Sequence, residues 1–338
     1  MPLGKDGRLT LYALTDGGLL RWTQRSRGGD RWDGPDFVPV ANLTDLTIVQ
    51  GADSYVHFLG RRERRGSDGP SVDFVHAVQY QTGRPVTEWR SIGNFHRDQE
   101  SGRKVGPPAG AVDAQGAVFV FVRNAGRGLQ MRREGKGGTW GAWQDLKGAG
   151  LAAGLVTSVT SSGLVEVFAL GDRGAQQWRQ EEPDGELRMI RTPLQFYALD
   201  GSVTALETAP DRLTYYWTDV NTSGVISYRA GAWPLPVGGY PGDGALVALR
   251  TALDGYDCTV LAQRGAGGTL LIGVCNTERE QDGVWWSDTT QECVGDPVLA
   301  LDGHGRVVVA VRGRDGVVSV ARQESGPGLT LSPHWHRL

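Results

Sequence analysis

Three of the six histidines in this chain, His57, His76 and His96, fall within one stretch, and the last opens the triplet His96-Arg97-Asp98. Imidazole titrates nearest neutrality of all side chains, so grouped histidines can transfer protons or ligate a metal. His57 and His76 stand on successive β-patterned segments, DSYVHFLG and FVHAVQY, and a regular hairpin would make their rings cross-strand neighbours. No third ligand stands at a recognisable spacing, so neither a metal nor a cofactor is expected. His57, His76, His96 and Asp98 are therefore the candidate acid–base groups, with Tyr215 as a hydrogen-bond donor from a distant segment if it reaches the ring axis. A second group would bind without reacting. Asp45, Glu207 and Arg250 replace the Val, Leu, Thr or Ala of comparable segments, and Arg61 and Arg97 lie in two charged excursions. No GxSxG, HExxH or phosphate-cradling glycine loop accompanies them.

The elements that must hold these residues are set by a repeat. Clear copies read GRLTLYALTDGG from Gly7, GAVFVFVRNAG from Gly116, GLVEVFALGDRG from Gly163 and GRVVVAVRGRDG from Gly305, with weaker copies from Asp53, Asp211 and Gly255. Successive starts lie 44 to 50 residues apart, except for a step of 63 from Asp53 to Gly116. Several short strands and glycine turns in each forty-odd residues form the pattern of a propeller blade. The sequence predicts an all-β fold: a seven-bladed β-propeller of four-stranded antiparallel blades, one domain over 1–338. MPLGKDG leaves little for an innermost strand in the first blade. That strand is expected short, and the ring closed by packing with no strand shared between first and last blades.

Alternate residues of each second strand face opposite sides of the sheet. The repeat aligns His57 with Leu11, Val120, Val167 and Val309, and Phe58 with Tyr12, Phe121 and Phe168. Trp22, Trp32, Trp89, Trp140, Trp143, Trp178 and Trp233 are expected to pack between blades. The long step puts extra residues at 60–72 and 94–108. In a four-stranded blade these two kinds of connection leave on the same side, so both excursions should crown one sector of one rim, where binding loops gather. Asp45, Glu207 and Arg250, on innermost strands, would line a polar funnel at the axis.

Bulk composition narrows the function classes. A net charge of -3 and a pI near 6.1 give no electrostatic case for nucleic acid or an anionic membrane, and no apolar run is long enough to cross a bilayer. Arginine far outnumbers lysine, which occurs only at Lys5, Lys104, Lys136 and Lys147; with 50 glycines this points to a bacterial coding bias. Cys258 and Cys275 come opposite one another if their hairpin turns at Gly265–Gly268, either reduced or bonded. The odd cysteine count and the lack of an apolar leader in MPLGKDGRLT point to a reducing, cytoplasmic setting. Oligomeric state has no signal in the sequence.

The unit G-x-L-x-V-F-x-x-x-x-x-G-x-L-x-x-x-x-Q followed by G-x-W-x-x-W resembles the blade of bacterial PLL-type and tectonin-like propellers. GAVFVFVRNAGRGLQMRREGKGGTWGAWQDL and GRLTLYALTDGGLLRWTQ carry it best, and the resemblance spans essentially the whole chain. It implies a seven-bladed lectin with monosaccharides such as fucose held between blades, aromatic faces against the sugar and polar groups on its hydroxyls. The outer strands, among them GDRWDGPDFVPV, GELRMIRTP, GAWPLPVGG and QDGVWWSDTT, share almost nothing, which indicates one specialised site in place of seven equivalent ones. Two readings follow. One is a lectin-like module for a glycan or other small polar molecule at a rim or channel site near blade two. The other is a small-molecule enzyme of bacterial specialised metabolism using the acid–base groups named above.

Overall fold

Each repeat folds as an antiparallel meander because its short β-branched and aromatic runs alternate with glycine-rich turns. The computed structural model describes every residue except 67, 68, 136, 173 and 192–195. Among the described residues the strands form seven sheets in chain order, within 10–39, 43–93, 108–145, 151–191, 204–238, 247–292 and 298–337. Blades two to seven each hold four sequentially paired strands, and blade one holds three. The innermost strand of blade one is reduced to the Leu3–Leu9 bridge and a 3.0 Å bond from the Thr10 amide to the Pro2 carbonyl. The fold is therefore the expected seven-bladed propeller with a shortened first strand.

Second strands are sandwiched, and each interface between blades carries one apolar cluster. Val165, Val167 and Trp178 of blade four pack on Phe119 and Phe121 of blade three. Leu9, Leu11 and Trp22 pack on Val308, Ala310, Val318 and Val320, joining blade one to blade seven. Around that closing seam Arg27 Nε donates to the Gly303 carbonyl at 2.7 Å and Arg322 to that of Gly28 at 3.3 Å. The ring is closed by packing and these bonds, without a shared strand.

Blade two departs from the alignment by one residue. Val56 and Phe58 pack against blade one, so Phe58 is the counterpart of Leu11 and His57 faces blade three. The cause is in the preceding turn. Ser54 takes the positive φ of 67° that Gly7, Gly116, Gly163 and Gly305 take in theirs, so Ser54, not Asp53, is the repeat's turn residue. Since side chains alternate, a slip of one moves every residue to the other face. The same rule corrects the cysteines. Cys258 pairs with Asn276 and Cys275 with Thr259, on opposite faces of the hairpin, and all three cysteines are free and buried. Trp22 and Trp178 are buried as expected, whereas Trp233 is 82% exposed.

Polar side chains inside the ring are tied in recurring ways. Gln24, Gln79 and Gln180 end third strands, and each donates to the carbonyl five residues on, Gly29, Arg84 and Gly185, at 2.8–2.9 Å. Gln24 and Gln180 also accept from the amides of Leu9 and Val165. Tyr215 alternates with Leu213 and Trp217 on the face toward blade four, so it is buried away from the axis it was expected to reach. Its hydroxyl donates to Glu166, which also accepts from Gln177 and lies 3.7 Å from Arg179. Burial raises the pKa of the Glu166 carboxyl, with the bonds opposing that rise.

Two outcomes follow in urea melts. Trp178→Ala should cost about 3–5 kcal/mol, read as a lower midpoint at unchanged slope. Tyr215→Phe should cost about 1–3 kcal/mol at pH 7 by leaving buried Glu166 one donor short. Because the folded carboxyl holds its proton more tightly than the unfolded one, the ionised form is the penalised one. The Tyr215→Phe penalty should therefore shrink toward pH 4, and a penalty independent of pH would contradict the assignment.

Candidate functional site

The first excursion of blade two is an arm, not a loop. Pairing continues past the blade body from Arg61–Phe74 to Gly66–Gly69, and the tip residues Ser67 and Asp68 lie outside the described residues. The run alternates Arg62, Arg64 against Asp73, Ser71, so cross-strand charge pairing extends the hairpin. Arg62 and Arg64 both bond Asp73, at 3.1 and 2.6 Å. The second excursion contains a helix, Gln99–Arg103, whose first turn Asp98 caps by accepting from the Ser101 amide at 2.7 Å. That bond holds the Asp98 carboxyl below its usual pKa. The excursions touch, as expected of one rim. Asn94 donates to the Val72 carbonyl at 3.1 Å and Arg61 to that of Arg103 at 3.3 Å. Arg61 also reaches Asp45 and Glu63, at 3.8 and 3.4 Å. A cleft of about 960 Å³ opens alongside the arm, lined by Asn42, Thr44, Glu63, Arg64, Arg65 and Pro70. His96 accepts from the Ala125 amide at 3.3 Å on this rim, and Arg97 is exposed.

His57 and His76 lie at the other rim, because the second strand carries the chain across the blade from the turn at 51–55 to the arm. Their register partners are Val78 and Leu59, so the rings are diagonal neighbours on one face. His57 Nδ1 and His76 Nε2 are 3.1 Å apart, and the rings lie 5° from parallel. Both are buried, at 5% and 7% exposure, and burial lowers their pKa values to about 4 and about 3. They are neutral imidazoles at pH 7. Trp140 covers His76 edge-on at 5.2 Å, and Glu134 of blade three brings a ligand atom within 4.8 Å of theirs. The acid–base candidates thus occupy three separate places: the buried pair, the His96–Asp98 rim and the Tyr215 interface.

The proposed channel residues each have a partner close by. Asp45 sits at the arm end of its strand beside Arg61. Glu207 closes two turns, accepting from the amides of Ser161 and Asp211 at 2.9 and 2.7 Å. Arg250 is paired with Asp257 at 2.7 Å on its own sheet. Each charge has a partner of its own, and the Arg250 pKa, raised mainly by the bond to Asp257, is raised further by Glu207.

A further cleft went unread in the sequence. Between the outer strand of blade six, Trp285–Glu292, and the segment leading into the outer strand of blade seven lies a cavity of about 620 Å³. Trp285 and Trp335 line it with Ser287, Thr289, Thr290 and Ser332, over an apolar floor that includes Ile272 and Leu331. Trp285 is 66% exposed, where a tryptophan with only a packing role would be covered. The signal was available as WWSDTT and SPHW in successive outer strands, but their pairing across an interface depends on the fold.

No protein-family model matches the sequence, and no curated protein is similar to it. Solved structures of similar fold include the BP39L lectin from Burkholderia pseudomallei, with a TM-score of 0.71 at 15% identity, covering 99% of this chain and 96% of that one. A point mutant of the Aleuria aurantia lectin AAL, in complex with Fucα1-6GlcNAc, gives 0.53 at 12% identity over 85% and 94% of the two chains. The NanB sialidase from Streptococcus pneumoniae gives 0.57 at 10% identity, covering 80% of this chain and 65% of the sialidase. At these identities the likeness is one of fold.

Proposed function

We propose that the protein is a glycan-binding propeller that holds a sugar residue in the cleft between blades six and seven. The observation that carries this reading is the exposed Trp285 across from Trp335 in a cavity edged by serine and threonine hydroxyls. An indole face packs on the C–H side of a sugar ring, and hydroxyls exchange hydrogen bonds with its own. No charged side chain lines the cleft among the described residues, which favours a neutral sugar over an acidic one. Lectins among the solved structures of similar fold support the same class, and AAL carries a fucosylated disaccharide.

The expectation of a specialised site near blade two has its own support in the arginine-edged cleft alongside the arm. It offers cations and amide groups without a ring, so an acidic sugar or other polar anion suits it. The enzyme reading has less behind it. Its acid–base candidates are split between two rims and an interior seam, and the histidine pair is closed to solvent.

A glycan array should show binding to related neutral sugars, and Trp285→Ala should weaken it at least tenfold, equivalent to about 1.4 kcal/mol of lost stacking. The melting temperature should stay within about 2 °C, since the side chain is mostly exposed. Silence across the array, or a variant that binds as the parent does, would remove the cleft. Loss of acidic ligands alone in Arg64→Ala/Arg65→Ala would move the site to the arm.

A further inference from the structure

We propose that His57, His76 and Glu134 form a site for one divalent first-row transition ion, zinc foremost, that clasps blade two to blade three. The site is independent of the sugar-binding reading. Two of its ligands come from adjacent strands of one sheet and the third from the next sheet, so a bound ion would bridge the seam.

The geometry fits. Ligands about 2.0–2.1 Å from a tetrahedral ion stand about 3.3 Å apart, and the facing nitrogens of His57 and His76 are 3.1 Å apart in nearly parallel rings. A carboxylate oxygen of Glu134 lies within 4.8 Å of both. Imidazole and carboxylate ligands without a thiolate suit zinc, cobalt or nickel better than calcium or magnesium.

Glu134 is also out of place in the repeat. Its amide donates to the Val118 carbonyl at 2.8 Å, as that of Gln24 donates to Leu9 and that of Gln323 to Val307. Blade three therefore has glutamate at the position of the structural glutamine. A carboxylate cannot make the donation to the carbonyl five residues on that Gln24, Gln79 and Gln180 make. Among the described residues the Glu134 carboxylate makes no hydrogen bond or ion pair, although it is partly buried.

Blade four shows the alternative. Glu166 and Gln177 occupy the positions that His57 and His76 occupy in blade two, each pair bracketing a second-strand residue two further on, Phe168 and Leu59. There the amide of Gln177 and the hydroxyl of Tyr215 from the next blade supply donors, and the group is self-satisfied. Across the seam between blades two and three, the next blade supplies an acceptor to two imidazoles. A cation in place of the proton shared between the rings would take the lone pairs of both facing nitrogens and of the carboxylate.

Chelator-treated protein titrated with ZnCl₂ should bind one equivalent and melt a few degrees higher when the metal is at about a hundredfold its Kd. CoCl₂ should give visible bands of four-coordinate cobalt. Glu134→Gln restores the repeat's own residue, so this variant should melt at or above the metal-free parent yet bind at least tenfold more weakly, without the bands. Glu134→Ala should lose binding likewise. The His334→Asn/His336→Asn variant should bind as the parent does. A parent without metal-dependent melting or cobalt bands, Glu134 variants that bind undiminished, or loss of binding in the His334/His336 variant would each overturn the proposal.

Discussion

Every second strand in the ring serves two interfaces at once, and the strict alternation of its side chains decides which. Val165, Val167 and Ala169 lie against blade three, while Phe168 lies against blade five. Removing apolar surface from water on both faces of every sheet is what fixes the blades in order, at roughly 25 cal/mol per Å². It also closes the ring, since the seam between blades seven and one is built from the same positions as the others. A polar residue at one of these positions is therefore a commitment. It must find partners within the seam, because water is not there to supply them.

That constraint sorts the polar residues of the interior. The glutamines at the ends of third strands satisfy it locally by spanning a turn, and Glu166 satisfies it across a seam through Tyr215. Among the described residues His57 and His76 answer it with the one bond between their rings, with Glu134 close by. The same residues looked like catalytic candidates when read for type alone. Their burial and neutrality make them poor proton carriers for a solvent-borne substrate, and make them good neutral ligands.

The ring, its blade count and its stunted first strand were legible because glycine turns and β-branched runs recur at a nearly fixed period. What was hidden was phase. One serine in a positive-φ turn, Ser54, stood where the other clear copies have glycine, and the alignment slipped by a residue. The slip left the fold intact and put His57 on the wrong face. Rim assignment was hidden for a related reason. His57 and His96 belong to one blade, but the second, third and fourth strands run between them and leave them at opposite rims, so membership of one blade became separation in space. Juxtapositions between blades, such as Glu134 near His76 or Trp285 across a cleft from Trp335, join residues about fifty apart, and no local pattern marks which of many such pairs meet.

The outer strands escape the double packing, and this is where variation is cheapest. An outer strand has one paired edge and one free, so its residues answer mainly to solvent and to whatever the neighbouring blade leaves open. Blade five uses that freedom to expose Trp233, and blade six to set Trp285 above a cavity. What encloses the cavity comes from the next blade. Blade seven approaches its outer strand through Gly328–Trp335, a segment that stands off from blade six and walls the far side of the cleft, with Leu329, Leu331 and Trp335 anchored in the seam below. A cleft of this kind needs two divergent outer strands in the right order around the ring. Seven blades of one pattern therefore need not give seven sites, and the place where two departures adjoin is the place where the scaffold can hold something of its own choosing.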